Sequence, residues 1–150
     1  MANSVIRFLR SVPGAIALWS VFALGIGLPA HAEADKNETA VITVIQQQLE
    51  AFAADDAEQA FKYAAPSIKA MAGNAQNFMA LVKTRYSPVY RNSNAAFLKP
   101  LIRGHAALVK VRLTDENGIH WMAAYTLERQ KNKQWLISGC QLFEEQGTFV

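Results

Sequence analysis

Apolar residues recur along residues 37–56, NETAVITVIQQQLEAFAADD, at Val41, Ile45, Leu49 and Phe52, with Val44 beside them. That spacing follows the helical period and places one apolar stripe on one face of a helix. Asn37 or Thr39 is positioned to cap its start. The stretch DDAEQAFKYAAP opens with Asp55 and, three residues on, Glu58, a capping-box pattern for a short second helix that carries Phe61 and Ala64 and is limited by Pro66. PSIKAMAG has room for a turn or two. A third helix, AQNFMALVKTRY, has Asn74 as its cap and Phe78, Leu81, Val82 and Tyr86 on one side. Ser87-Pro88 closes it, because the residue before a proline is pushed out of the α region.

Beyond Asn92 the period changes to two. AAFLKPLIRG, HAALVKVRLT, IHWMAAYTLERQ and QWLISGCQLF read as four strands. Pro100 suits an edge strand, where a missing N–H matters least. The turn DENG, with Gly118 left-handed, sets Leu113 opposite Trp121, Val111 opposite Ala123, Val109 opposite Tyr125 and Ala107 opposite Leu127. A two-residue Asn-Gly turn would slip the register by one and mix charged side chains into the apolar set. A three-residue loop at 131–133 continues the pattern, with Ile137 opposite Leu127, Gly139 opposite Tyr125 and Cys140 opposite Ala124. The expected fold is α+β: three N-terminal helices packed on a four-stranded antiparallel meander, with Val109, Val111, Trp121, Tyr125, Trp135 and Ile137 facing the helices.

The front of the chain has another character. MANSVIRFLR carries Arg7 and Arg10 and no acid, SVPGAIALWSVFALGIGL is uncharged and apolar, and LPAHA offers Ala30 and Ala32 as an A-x-A exit. Such a segment is a secretory signal peptide over residues 1–32, cleaved after Ala32; an uncleaved anchor is the alternative. The expected organisation is this leader and a single domain over 33–150, exported to the periplasm or beyond, touching the membrane through the leader alone. Two of the chain's 15 basic residues sit in the leader while all 12 acids lie after it, so the formal charge of +3 falls to +1 for the remainder. No basic run is left to track phosphates, so nucleic acid is not an expected partner. One cysteine cannot form a bridge within its own chain, so stability must come from packing.

The segments QQLEAFAADDAEQAFKYAAPSIK, FMALVKTRYSPVYR and VRLTDENGIHWMAAYTLERQKNKQWLISGCQL together resemble an uncharacterised bacterial exported domain-of-unknown-function family of the nuclear-transport-factor-2-like, or ketosteroid-isomerase-like, cone superfamily. The resemblance spans residues 41–143, with YSPVYR and WLISGC as its more specific parts. It implies a curved, cystatin-like cone, a hollow between the sheet and the helices, and dimerisation through the other sheet face. It implies no activity, since the superfamily holds isomerases, dehydratases, binding modules and dimerisation modules.

Cys140 would need a base within reach, but in the expected register His105 falls on the opposite face and His120 lies four residues along, about 13 Å at the strand rise. Cys140 therefore reads as packing. Two histidines on opposite faces make no metal cluster. Isomerase chemistry needs a carboxylate base on the enclosed face; that face offers tyrosines and no acid, leaving Glu50 or Glu58 of the helices to reach in. The expectation is an exported, non-catalytic binding or accessory module with a modest apolar cavity and no cofactor or metal. The alternative is a small isomerase- or dehydratase-like enzyme using tyrosine donors and a helix-borne carboxylate. The candidate lining is Phe61, Tyr86, Tyr90, Trp121, Tyr125 and Gln141, and the expected ligand is small and apolar. The outer face, with Leu108, Met122, Ala124, Cys140 and Leu142, reads equally as a homodimer interface or as a partly solvated sheet face.

Overall fold

The computed structural model describes residues 30–145. In chain order they form α1 (Ala30–Ala53), α2 (Ala57–Lys62), α3 (Pro66–Ala72), α4 (Ala75–Arg85) and α5 (Ser87–Tyr90), then β1 (Asn92–Phe97), β2 (Leu101–Arg103), β3 (Ala106–Asp115), β4 (His120–Arg129) and β5 (Trp135–Glu144). The leader expected over residues 1–32 lies outside the described residues but for its last three positions, which begin α1. No described helix is long and apolar enough to cross a membrane.

The stripe on α1 is buried at Val41, Ile45, Leu49 and Phe52. Gln48 lies within that face and is only 3 % exposed. Its amide nitrogen donates to the Ala60 carbonyl at 3.1 Å, tying α1 to α2 and giving a buried polar group a partner. The cap of α2 differs from expectation by one residue: Asp56, not Asp55, accepts the Gln59 N–H at 3.0 Å. Asp55 instead takes a left-handed backbone, φ 55°, and turns its carboxylate toward α4 and α5. Asn74 caps α4 as its position suggests, accepting the Asn77 N–H at 2.8 Å. Ser87-Pro88 ends α4, and one further turn, α5, follows with Pro88 at its start, where no N–H is asked of it.

The sheet is antiparallel in the order β1-β3-β4-β5, with β2 also paired to β3. The first expected strand is thus two, separated at 98–100, where Pro100 has no N–H to give the ladder. The β3–β4 register matches the expected one at Leu113–Trp121, Val111–Ala123, Val109–Tyr125 and Ala107–Leu127. Gly118 closes that turn at φ 80°. The β4–β5 turn has the same form, with the Lys133 N–H on the Gln130 carbonyl at 2.9 Å and Lys133 at φ 69°.

The expected β4–β5 register holds to Leu127–Ile137 and then breaks. Thr126 pairs with Gly139 and Tyr125 with Cys140, leaving Ser138 as the extra residue of a bulge. Everything beyond it changes face. Cys140 and Leu142 face the helices, opposite Tyr125 and Ala123, and Gln141 faces outward, opposite Ala124. Two local features account for the bulge. The free edge of β5 pairs with the chain joining α2 to α3: the Ile137 N–H donates to Tyr63 O, and the Ala65 N–H to Ile137 O, both at 2.8 Å. One residue on, Ser138 Oγ donates to Thr126 Oγ1 at 3.2 Å, and Gly139 leaves room for that threonine. The proposed dimer patch thereby loses Cys140 and Leu142. Leu108, Met122 and Ala124 stay on the outer face, half-buried, and Phe143 joins them, 54 % exposed.

Candidate functional site

A cavity of about 300 Å³ lies between the helices and the bulged part of β5. Its deep wall is Gln48 and Phe52 of α1, Phe78 and Val82 of α4, Val89 of α5 and Tyr125 of β4, all buried. Residues 137–140 close the sheet side, where Gly139 adds no side chain and Cys140 a short one. Ser67 and Met71 of α3 line it too and are exposed, so the cavity meets solvent beside α3. None of the lining residues is Asp, Glu, His, Lys or Arg.

The deep wall holds two polar side chains, Gln48, bonded to the Ala60 carbonyl, and Tyr125. Tyr125 is 1 % exposed, and its hydroxyl makes no hydrogen bond of good geometry; the polar group beside it is the Cys140 thiol, a weak partner. A buried polar group left in that state costs about 1–3 kcal/mol. Its cross-strand neighbour is Cys140. Burial pushes the Cys140 thiol up to about 12, although the tyrosine beside it works the other way. Burial, with the neighbouring thiol, also raises the Tyr125 hydroxyl well above its ordinary value. Both groups hold their protons at neutral pH. A cysteine nucleophile acts as thiolate, so Cys140 is not activated here. His105 and His120 are exposed, and His120 Nδ1 lies 3.2 Å from Thr114 Oγ1.

Of the residues singled out from sequence, Tyr86 and Tyr125 line the cavity. Phe61 stands behind the wall, its ring 5.6 Å from that of Phe78. Trp121 lies at the far end of the β3–β4 hairpin, where its indole N–H donates to Asp115 Oδ2 at 3.0 Å. Gln141 is exposed on the outer face, a correction that follows from the bulge. Tyr90 belongs to a clamp on the α1–α2 turn. Its hydroxyl bonds Asp55; Arg91 reaches Asp55 Oδ2 at 2.7 Å and the Phe52 carbonyl at 2.8 Å, and Lys83 reaches Asp55 Oδ1 at 3.1 Å. The Arg91 guanidinium lies 3.8 Å from the centre of the Tyr90 ring. Hydrogen bonds from Tyr90, Arg91 and Lys83 hold the Asp55 carboxyl well below its ordinary value. YSPVYR thus fastens two helices beside the cavity. Glu50 and Glu58 are exposed and outside the lining. Among the described residues no group of three His, Cys, Asp or Glu is placed to hold a metal ion.

Sequence reasoning missed Gln48 and Cys140 as lining. Gln48 sits at a core position of the α1 stripe, a signal that was available. Gly139 inside a strand was the signal for the bulge that brings Cys140 inward.

Helices N-terminal to an antiparallel sheet, with a hollow between the layers, define an α+β cone of the nuclear-transport-factor-2-like class. A solved structure from Shewanella baltica, described as a nuclear-transport-factor-2-like protein of unknown function, is similar with a TM-score of 0.55 and 14% sequence identity, over 75% of this chain and 97% of that one. A DUF4783 family protein from Bacteroides ovatus is similar with a TM-score of 0.48 and 15% identity, over 67% of this chain and 94% of that one. At such identities the likeness to the Shewanella structure concerns the fold alone. A family model described as a domain of unknown function, DUF4864, matches residues 34–150, and the chain belongs to that family. No curated protein is detectably similar to it.

Proposed function

We propose that the chain is a non-catalytic binding or accessory module that holds a small apolar ligand in the cavity between α1, α4 and the sheet. One observation carries this reading: a cavity of about 300 Å³ whose lining holds no carboxylate, histidine, lysine or arginine. Small-molecule sites run from roughly 300 to 1,000 Å³ and are walled mostly by apolar side chains with a few polar groups for orientation. Burying apolar ligand area there contributes about 25 cal/mol per Å². The enzyme alternative, proton transfer by a helix-borne carboxylate, needs that carboxylate within reach of the bound molecule. Glu50 and Glu58, the acids suggested for that role, point to solvent, which favours binding over catalysis. In the same proposal residues 1–32 act as a leader that carries the module out of the cytoplasm, supported by Arg7, Arg10, the apolar run and the Ala30–Ala32 exit.

The test is mass spectrometry of small molecules released by denaturing the protein after mild purification from its native envelope. The expected result is a neutral apolar molecule in near-stoichiometric amount. A chain that releases nothing, and whose melting temperature no apolar compound raises, contradicts the proposal.

A further inference from the structure

We infer that the ligand carries a neutral hydroxyl on an apolar body and donates it to the side-chain oxygen of Gln48. This rests on the reading of the cavity as a binding site and names the chemistry that the site selects.

Gln48 is 3 % exposed and lines the cavity. Its amide nitrogen donates to the Ala60 carbonyl at 3.1 Å, and only the nitrogen end of an amide can donate. That bond fixes which way the group points, with Oε1 at the free end. Oε1 accepts no hydrogen bond from the described residues. The side-chain polar atoms that are both unbonded and sealed among the described residues are the Tyr125 hydroxyl and Arg129 Nε. Gln48 Oε1 is unbonded without being sealed, and in a residue so buried its open surface belongs to the cavity. Buried amide oxygens are normally bonded, so one left free at a cavity wall calls for an occupant. The free capacity is that of an acceptor, and its complement is a donor.

Charge and shape narrow the class. An ammonium would also donate to Oε1. No Asp or Glu lines the cavity, and an unpaired buried charge costs far more than one hydrogen bond returns. An amide N–H brings a carbonyl with it, and the deep wall has no free donor for that carbonyl: the Gln48 nitrogen is spent, and the Tyr125 hydroxyl is sealed beside the Cys140 thiol. A hydroxyl meets the acceptor without charge and without a second group to satisfy. Phe52, Phe78 and Val82, all buried, offer hydrocarbon to the rest of the ligand.

The probes are 2-naphthalenemethanol, 2-ethylnaphthalene and 2-naphthylmethylammonium, which share one apolar body and differ in one terminal group. Titrations use the protein and its Gln48→Met variant, in which an unbranched side chain replaces both polar ends. The alcohol-to-hydrocarbon affinity ratio should fall about three- to tenfold in the variant, the range expected for one net hydrogen bond. A merely structural role of Gln48 would change both affinities alike and leave the ratio. The ammonium should bind most weakly. A second measurement needs no substitution: the carbon-13 signal of the Gln48 side-chain carbonyl should move further downfield with the alcohol than with the hydrocarbon. An unchanged ratio, equal carbonyl shifts or preferred binding of the ammonium overturns the inference and leaves the cavity as a binding site. Failure of all three probes to bind overturns both.

Discussion

Gly139 lies so close to Thr126 that a Cβ added to the glycine would meet the threonine Oγ1 at 2.9 Å. The two residues face each other across β4 and β5 at the point where the register shifts. The contact ties the bulge to a residue with no side chain, and the bulge turns Cys140 toward Tyr125. Gly139→Ala is expected to destabilise the fold by about 1 kcal/mol, the scale of forcing one side chain off its rotamer. Thr126→Ala in the same chain should return most of that loss. Urea unfolding of the two single variants and the double variant measures the coupling; additive losses would show that the contact does not constrain the bulge.

The β4–β5 turn carries strain that its β3–β4 counterpart avoids. Gly118 closes one turn at φ 80° and Lys133 the other at φ 69°. A side chain in the left-handed region costs about 1–2 kcal/mol, and glycine avoids that cost while losing more chain entropy on folding. Lys133→Gly should therefore raise stability by up to about 1 kcal/mol, and Gly118→Ala should lower it by a similar amount. Opposite signs in denaturant melts check the pair, and equal signs would contradict it.

Much of the architecture was legible because patterning and turn chemistry agreed. The period-two strands, the Gly118 turn and the inward set of Val109, Val111 and Leu113 all follow from alternation with one face buried. The cavity was less legible. Alternation was carried through WLISGC without a break, whereas the structure inserts Ser138 and inverts Cys140, Gln141 and Leu142. The inversion depends on Tyr63 and Ala65 pairing with the edge of β5, a contact across more than 70 residues that local pattern does not encode. Tyr90 is a candidate lining residue by sequence, yet its hydroxyl serves Asp55, whose role depends on a left-handed backbone at the α1–α2 turn.

Cys140 gives a pH signature. Its thiol is raised from 9.0 to about 12 in the folded chain. A raised acid favours the fold while protonated: its contribution is complete below pH 9.0, where the unfolded thiol titrates, and is lost as pH climbs through about 12. Between those limits stability should fall with a slope of at most about 1.4 kcal/mol per pH unit from this group. Cys140→Ala should flatten the decline. At pH 8 the native thiol should react with iodoacetamide far more slowly than the unfolded one, because its thiolate is disfavoured; equal rates would contradict the raised value.

Asp55 acts with the opposite sign. Its carboxyl is held below the ordinary 3.8 by Tyr90, Arg91 and Lys83. A depressed acid stabilises above that value, and the contribution is lost as pH falls below 3.8 toward the folded value. Asp55→Asn keeps a residue that tolerates the left-handed backbone and should lower stability at pH 7. Its deficit should shrink on acidification. A deficit that is the same at pH 7 and at low pH would assign the effect to the turn rather than to the charge.

Tyr125→Phe deletes a buried hydroxyl whose polar neighbour is the weakly bonding Cys140 thiol. In the unliganded chain it should be neutral or raise stability by about 1 kcal/mol, since the desolvation penalty disappears while the ring packing stays. A loss above 1 kcal/mol in thermal unfolding, against the roughly 1 kcal/mol net worth of a hydrogen bond, would mean that the hydroxyl is satisfied within the fold.

The most direct measurement of the central claim is a two-dimensional NMR titration of the protein with 2-ethylnaphthalene. Saturable shifts at Phe52, Val82, Val89, Tyr125 and Cys140, with Leu108 and Phe143 still, are the result the cavity predicts. Shifts confined to the outer sheet face, or none up to the solubility limit of the probe, would contradict it.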